Sequence, residues 1–242
     1  MSGVVRNPGG QSVQGQDIGI LHIESHYPLV PGNAQNATTF SFPVRYECVS
    51  GLAIPELLSG AETGEARLVA AAQKLEAAGA RAIVGACGSF VNYQTAVARA
   101  VKVPVFTSVM LLVPLILRGL APDRRLAIVF ASAHSYTERV RRECGIAEDE
   151  DRIVVAEARD LPAFAPILAN ETELDDAALS DQVRDRVARL VADDPSIAAV
   201  LLQCSELPPY AAAIQSAVGV PVVDVVTLVD FAHAAAVRTP YA

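Results

Sequence analysis

The feature that most constrains the fold of this chain is an internal repeat. The run AIVGACGS around Cys87 aligns with the run AVLLQCSE around Cys204, and an alanine-rich stretch follows each of them. A Val-Pro-Val run then begins at the same distance after each cysteine, with its proline at Pro104 in the first copy and Pro221 in the second. Two such units, each a strand, a cysteine, a helix and a second strand, predict a duplicated α/β architecture.

Strand and helix patterns alternate along the rest of the chain. A helix is predicted over 64–78 from the spacing of Leu68, Ala72 and Leu75, and Gly79 stands where a left-handed helix end is expected. Short apolar runs predict strands at 17–23, 82–86, 103–106, 126–130, 153–156, 198–202 and 220–223. This alternation is typical of parallel sheets covered by helices.

We therefore predict two pseudo-symmetric lobes, each a parallel sheet flanked by helices, with the active site in the cleft between them. Lobe one is expected to comprise 17–111 together with 217–242, so that the C-terminal strand and helix complete it, and lobe two to comprise 112–216. The segment 1–16 is rich in Gly, Gln and Ser and is expected to be a flexible tail. Ligands of open parallel sheets bind at the carboxyl ends of the strands, where both cysteines are predicted to lie.

Charge and hydropathy exclude several classes of partner. A net charge of −8 argues against nucleic acid and against an anionic membrane surface. The most apolar stretch, 103–117, is interrupted by polar residues and prolines and is shorter than the roughly 20 residues that a membrane span needs. No secretory signal is evident in 1–16, which predicts a cytoplasmic protein. The expected partner is a small carboxylate-bearing substrate, and self-association into a homo-oligomer is left open.

The four cysteines divide into two pairs. They lack metal-type spacing, and in the cytoplasm they are expected to be reduced thiols. Cys48, in a strand-like run, and Cys144, near a helix end, have no partner in the repeat and are interpreted as packing residues. Cys87 and Cys204 occupy matched strand-to-helix turns, where the positive end of the helix dipole is expected to lower the pKa of a thiol.

The same two turns predict an anion site. Backbone N–H groups at helix starts commonly hold anions, and the hydroxyls of Ser89 and Ser205 lie close by in sequence. A carboxylate held there could delocalise a carbanion that forms on the neighbouring carbon. Two facing turns would place one thiol on each side of that carbon.

The order of a strand, Cys-Gly-Ser, a helix and Val-Pro-Val, followed in the second half by a strand and Cys-Ser-Glu-Leu, resembles the aspartate/glutamate racemase superfamily. The resemblance covers nearly the whole chain. It implies a cofactor-independent racemase or epimerase that moves a proton at the carbon alpha to a carboxylate, in an amino acid such as aspartate or glutamate or in a hydantoin-like substrate. Cys87 and Cys204 would be the opposed acid and base, with Gly88, Ser89 and Ser205 in the anion site. No metal and no organic cofactor are implied.

Other members of that superfamily supply the alternatives, which are a maleate cis-trans isomerase and an arylmalonate-type decarboxylase. Amino-acid racemases usually have Asn and Thr after the first cysteine, where this chain has Gly88 and Ser89. Glu206 matches the Cys-Thr-Glu of aspartate racemases and would orient Cys204 or receive a substrate ammonium; the alternative is a solvated acid at a helix start. Ser132 and Tyr136 follow a strand where relatives place hydroxyls against the carboxylate, and Tyr136 resembles the anion-hole tyrosine of the decarboxylases.

Four further residues have two interpretations each. Asn33, in the long loop 24–39, is expected to contact substrate or else to form an ordinary turn. Arg45 could pair with a second substrate carboxylate or form a surface salt bridge. His22 and His26 have a spacing that binds zinc on a helix, but their neighbours predict a strand, so no metal site is expected.

Two competing classes of function remain open. A cysteine hydrolase could pair one thiol with His134 or His233, although it leaves the second cysteine without a role. A non-catalytic small-molecule binder could keep the cleft without the chemistry. No dinucleotide fingerprint and no phosphate-binding loop are present, so nucleotides are not implied.

Overall fold

The computed structural model describes residues 10–52, 56–57, 61–146 and 149–238, and these form two parallel sheets of four strands each. The first sheet contains β1 (Ile18–His22), β2 (Val44–Cys48), β3 (Ala82–Gly85) and β4 (Val105–Phe106). The second contains β5 (Arg125–Phe130), β6 (Ile153–Glu157), β7 (Ile197–Leu202) and β8 (Val222–Val223). Their orders are β2-β1-β3-β4 and β6-β5-β7-β8, so the two sheets have the same topology. The predicted α/β fold of two similar lobes is confirmed.

Eight α-helices are found in the described residues, and they pack on the faces of the sheets. They are α1 (Glu62–Ala77), α2 (Gln94–Ala100), α3 (Val113–Gly119), α4 (Glu138–Cys144), α5 (Ala165–Ala169), α6 (Asp176–Asp193), α7 (Ala211–Val218) and α8 (Val225–Ala236). None of these described helices has the length and apolarity needed to cross a bilayer.

Helix α1 ends as its sequence predicts. Gly79 adopts a left-handed conformation with φ of +99°, which a side chain would disfavour. The Ala80 N–H donates to the Leu75 carbonyl at 3.0 Å, and this bond closes the last turn of the helix. The chain then leads directly into β3.

One apolar core lies between the two sheets and a further core covers the outer face of each. Along β5, Leu126, Ile128 and Phe130 belong to the core between the sheets, whereas Ala127 and Val129 belong to the outer core under α6 and α7. Successive side chains of a strand point to opposite faces, so both faces of this strand are buried. This explains why the central strands read as continuous apolar runs.

The C-terminal strand is placed differently from our prediction. We expected it in lobe one, but β8 pairs with β7 of the second sheet, with Val200 opposite Val222 and Leu201 opposite Val223. The repeat itself gives the reason, because β8 follows β7 just as β4 follows β3, and each Val-Pro-Val strand pairs with its own cysteine strand. Helix α8 then crosses to the first sheet and packs against β1 and β3.

The buried residue Asp224 connects β8 to α8. Its carboxylate accepts the Thr227 N–H at 2.9 Å and so caps the start of α8. The remaining lobe bounds stay a prediction. Of the expected flexible tail at 1–16, residues 1–9 lie outside the described part of the chain.

Candidate active site

The first cysteine lies in the turn that leaves β3. Cys87 is half-buried and extended, with φ of −137° and ψ of 120°, and it precedes a 3-10 helix over Gly88–Tyr93 that leads into α2. The Phe90 N–H donates to the Cys87 carbonyl at 3.0 Å and closes this first turn. The thiol is therefore at the carboxyl end of a central strand, at the edge of the sheet where parallel α/β folds bind ligands.

The second cysteine lies in the equivalent turn after β7. Cys204 is buried, with an exposed fraction of 4%, and the Leu207 N–H donates to its carbonyl at 3.2 Å. The residue before it, Gln203, still belongs to the sheet hydrogen bonding, because its N–H donates to the Val129 carbonyl of β5 at 2.9 Å. A second 3-10 turn and α7 follow.

Both turns line one cavity of about 360 Å³ between the lobes. Its walls come from the two cysteine turns, from the loop after β1, from the turn after β5 and from the segment around α5. The lining residues are Ile23, Glu24, Ser25, Tyr27, Cys87, Gly88, Ser89, Ala131, Ser132, Ser135, Phe164, Ile167, Leu168, Asn170, Gln203, Cys204, Ser205 and Glu206.

The rim of this cavity is closed by a hydrogen bond between two segments that are distant in sequence. The His26 N–H, in the loop after β1, donates to the Asn170 side-chain oxygen at 2.7 Å. Asn170 ends α5 in the left-handed conformation, with φ of +55°, which asparagine tolerates better than most residues. The bond therefore joins two of the segments that form the cavity wall.

The Glu206 carboxylate organises the polar side of the cavity. It accepts hydrogen bonds from the Cys204 thiol at 3.1 Å, from the Ser205 hydroxyl at 3.0 and 3.1 Å, and from the Tyr27 hydroxyl at 2.6 Å. Tyr27 belongs to the loop after β1 and Glu206 to the turn after β7. This network therefore also joins the two lobes across the cleft, beside one of the two thiols.

Burial raises the pKa of both thiols. Burial raises the pKa of Cys87 to about 12, and the negative charge of Glu206 adds to the effect. Burial and then Glu206 also raise the pKa of Cys204 well above its ordinary value. Backbone N–H groups of Ser89 and Phe90 lower the pKa of Cys87, as expected at a helix start, but their contribution is smaller. Our prediction that the turns give low-pKa thiols in the free protein is therefore wrong.

The charged groups that line the cavity are acidic. Among the residues that the structure describes, Glu24 and Glu206 line it, and no Lys, Arg or His does. Arg159 reaches the rim from outside, where its guanidinium donates to the Ser132 hydroxyl at 3.3 Å. Among the lining side chains that the structure describes, an anion therefore meets only neutral donors, with the Arg159 guanidinium behind Ser132, whereas a cation meets two carboxylates.

Seven of the predicted site residues line this cavity, namely Cys87, Gly88, Ser89, Ser132, Cys204, Ser205 and Glu206. Tyr136 does not: its ring packs against Phe130, and its buried hydroxyl has no hydrogen-bond partner in the described residues. Asn33 does not line it either, because its side-chain oxygen accepts the Gln35 N–H at 2.8 Å within a turn. The ordinary-turn interpretation therefore fits Asn33, whereas Tyr136 does not line this cavity and its anion-hole role stays a prediction.

The other candidate residues also lie away from the cavity. Arg45 is on the edge strand β2, and its buried Nε has no hydrogen-bond partner among the described residues. His22 ends β1 and its Nδ1 lies 2.9 Å from the Ile23 carbonyl oxygen. His134 contacts the Ser132 hydroxyl at 3.3 Å, and His233 stacks on Phe42. Since neither His134 nor His233 lines the cavity, no Cys-His pair of a hydrolase is formed there.

Of the lining residues that were not predicted from the sequence, three polar ones bear on the chemistry of the site. Glu24 and Tyr27 lie in the loop that was expected to bind something, but no motif singles them out there. Gln203 could have been noticed in the repeat, because it is a long polar residue at the position that Ala86 occupies in the first copy.

Comparison with known proteins identifies the class. The family model for Asp/Glu/Hydantoin racemase matches residues 31–229, and the chain belongs to this family. The fold is similar to unliganded arylmalonate decarboxylase, with a TM-score of 0.57, 20% identity and coverage of 92% of this chain and 94% of that one. It is also similar to allantoin racemase from Klebsiella pneumoniae, with a TM-score of 0.57, 16% identity and coverage of 90% and 86%.

Curated relatives that are more similar in sequence than these two structures are named as lyases. The chain is 31% identical to dimethylsulfoniopropionate lyase 5 of Emiliania huxleyi strain CCMP1516 over 233 residues, covering 92% of this chain and 46% of that protein. It is 27% identical to the dimethylsulfoniopropionate lyase of Durusdinium sp. clade D, covering 91% and 75%. The chain spans about half the length of the first of these relatives. It is thus an enzyme of the aspartate/glutamate racemase superfamily.

Proposed function

We propose that this enzyme removes a proton from the carbon next to a carboxylate in a small zwitterion, and that the reaction is β-elimination of dimethyl sulfide from dimethylsulfoniopropionate. The observation that carries the proposal is a cavity with two thiols and two carboxylates but no lining basic side chain among the described residues. The dimethylsulfoniopropionate lyases that match most of this chain support the choice of substrate.

The charge of the cavity favours a substrate with one carboxylate and one fixed positive charge. Aspartate and glutamate carry a second carboxylate, which would need a cationic partner, and it would meet Glu24 and Glu206 instead. Burying an unpaired charge is costly. A sulfonium cation near these glutamates is paired, and a single carboxylate can be held by hydroxyls such as those of Ser89 and Ser132.

The thiolate that the reaction needs forms when the substrate binds. A positive charge close to a thiol favours its ionised form, so the sulfonium offsets part of the burial that keeps Cys204 protonated. Glu206 is in place to accept the proton, because its carboxylate lies 3.1 Å from the Cys204 sulfur. Cys204 is thus the base in this scheme.

The elimination then conserves atoms and charge. The Cys204 thiolate takes the proton from the carbon alpha to the carboxylate, and the released electron pair forms the carbon–carbon double bond. The bond from the beta carbon to sulfur breaks, and dimethyl sulfide leaves with that electron pair. The products are dimethyl sulfide, acrylate and one proton, which Glu206 passes to solvent.

Racemisation is the second candidate, favoured by the presence of a thiol on each lobe. With Cys87 and Cys204 in one cavity, one thiolate could remove a proton while the other thiol returns one from the opposite side. Its substrates would be amino acids such as aspartate or glutamate, or a hydantoin-like compound. The cavity is less suited to isomerisation of maleate or decarboxylation of an arylmalonate, because these substrates carry two carboxylates and would need a cationic partner for the second.

The test is a direct comparison of the two reactions. The purified protein is incubated with dimethylsulfoniopropionate, and dimethyl sulfide is measured in the headspace while acrylate is measured by NMR. Parallel samples in heavy water contain each enantiomer of aspartate, glutamate and a hydantoin. We expect equal amounts of dimethyl sulfide and acrylate. If no dimethyl sulfide is released but deuterium appears at the alpha carbon of an amino acid, racemisation replaces elimination as the proposed reaction. If neither reaction occurs, the proposal is overturned.

A further inference from the structure

We propose that the side-chain amide of Gln203 binds the substrate carboxylate, in a space that Gly88 leaves open between the two cysteine turns. The proposal rests on the proposed function for the identity of the substrate and deepens it by assigning a residue that sets specificity.

The position of Gln203 places its side chain beside both thiols. It directly precedes Cys204, and its backbone is fixed by the 2.9 Å bond from its N–H to the Val129 carbonyl. Its side chain lines the cavity and, across the cleft, lies against Gly88, the residue that follows Cys87. Any ligand within reach of both sulfur atoms is therefore also near this amide.

The amide lies where a ligand in the cavity can reach it. Gln203 has an exposed fraction of 6%, and what its side chain exposes faces the cavity that it lines. An amide N–H in this position can donate to a carboxylate, and hydrogen bonds to a charged acceptor are stronger than those between neutral groups.

Gly88 supplies the space that the amide occupies. A Cβ atom at this position would overlap the amide nitrogen and carbon of Gln203 and would lie 2.7 Å from the Gln203 backbone oxygen. Any larger residue would push the amide away from the Cys87 turn. The glycine is thus required for close approach of the two lobes beside the thiols.

The chemistry of the cavity identifies the group that the amide binds. Since no basic side chain lines the cavity in the described residues, neutral N–H and O–H donors must hold a substrate carboxylate. The amide is such a donor, and hydrogen bonds to a charged group are stronger than those between neutral groups. A carboxylate held here has its alpha carbon one bond away, between the turns of Cys87 and Cys204.

The experiment compares Gln203→Met and Gln203→Glu with a control, Gln215→Met, in which the replaced glutamine is exposed on α7. Propionate, a carboxylate without a leaving group, is titrated by calorimetry, and kcat/KM is measured with dimethylsulfoniopropionate. We expect Gln203→Met to weaken propionate binding by about 10- to 100-fold, the range typical of a lost hydrogen bond to a charged group. Gln203→Glu, which keeps the shape but repels a carboxylate, should weaken it further.

A second variant addresses the role of the glycine. Gly88→Ala should displace the amide and weaken propionate binding to a similar extent, and the double variant with Gln203→Met should be little worse than either single variant. Propionate affinity within twofold of the parent protein in either Gln203 variant would overturn the proposal, as would a parent protein that does not bind propionate. If the parent protein binds propionate through Gln203 but does not release dimethyl sulfide, the elimination proposal fails and this one stands.

Discussion

Replacing Glu206 by glutamine tests whether its carboxylate accepts the proton of the Cys204 thiol. The substitution keeps the side-chain shape but removes the charge and the ability to take a proton. In the present structure the Glu206 carboxylate accepts hydrogen bonds from Cys204, Ser205 and Tyr27. An amide has one acceptor oxygen for these three donors, so the orientation of Cys204 also suffers. We expect kcat/KM for dimethylsulfoniopropionate to fall by about 10²- to 10⁴-fold, the usual contribution of a general base, or roughly 3–5 kcal/mol of transition-state stabilisation.

The reactivity of the thiols should change in the opposite direction. The charge of Glu206 raises the pKa of both Cys87 and Cys204, so its removal favours the thiolate of each. Because the thiolate is the reactive form, iodoacetamide should label both residues faster, by about tenfold, in Glu206→Gln at pH 8. Labelling is followed residue by residue by peptide mass spectrometry.

Glu24→Gln is the matched control, because Glu24 lines the same cavity but does not contribute to the pKa of either cysteine. It should raise KM for dimethylsulfoniopropionate, because one carboxylate that could pair with the sulfonium is lost, and leave the alkylation rates unchanged. Full activity in Glu206→Gln would refute the assignment of Glu206 as proton acceptor. Lower activity with unchanged or slower alkylation would show that Glu206 acts only through packing.

Two further predictions concern the thiols themselves. Cys204→Ser should reduce release of dimethyl sulfide by at least about 10²-fold and Cys87→Ser by less, because elimination needs one base. Equal losses in the two variants, together with deuterium wash-in from opposite amino-acid enantiomers, would favour racemisation instead. Burial raises the pKa of Cys87 and of Cys144 to about 12, whereas an unfolded thiol ionises near pH 8.5, so the folded protein binds more protons than the unfolded chain between these pH values. Urea unfolding between pH 8 and 10 should therefore show stability falling as pH rises, by up to about 1.4 kcal/mol per unit for each thiol, and less steeply in Cys144→Ala; a flat profile in the parent protein would contradict this.

The repeat made the main features of this fold predictable from sequence. Matching cysteines and Val-Pro-Val runs are enough to predict two equivalent parallel sheets, because each run belongs to one β-Cys-α-β unit. The same reasoning, applied fully, would have placed β8 beside β7 in the second sheet. Strand β2 (Val44–Cys48) was not among the predicted strands, although Val44, Tyr46 and Cys48 alternate with two charged residues; it is the half-buried edge strand of the first sheet.

The chemistry of the site was less predictable, because it depends on contacts between distant segments. Tyr27 and Glu206 are 179 residues apart, and nothing in either local sequence indicates that they form a hydrogen bond. The expected low pKa of the cysteines followed correctly from their position at helix starts, but that argument contained no information on burial. Burial acts against ionisation and is the largest effect at both cysteines, and the charge of Glu206 adds to it.

The bond between His26 and Asn170 has a consequence for how fast substrate can reach the thiols. Two routes of access are conceivable, separation of the lobes or movement of the rim. The core between the sheets includes residues of β1, β3, β5 and β7, so separating the lobes would expose it, at about 2.5 kcal/mol for each 100 Å². Breaking one hydrogen bond between exposed loops costs about 0.5–1.5 kcal/mol. Substrate is therefore expected to enter by movement of the two rim segments, the first of which is also held by the Tyr27–Glu206 bond, while Cys87 and Cys204 stay in place at the ends of their strands.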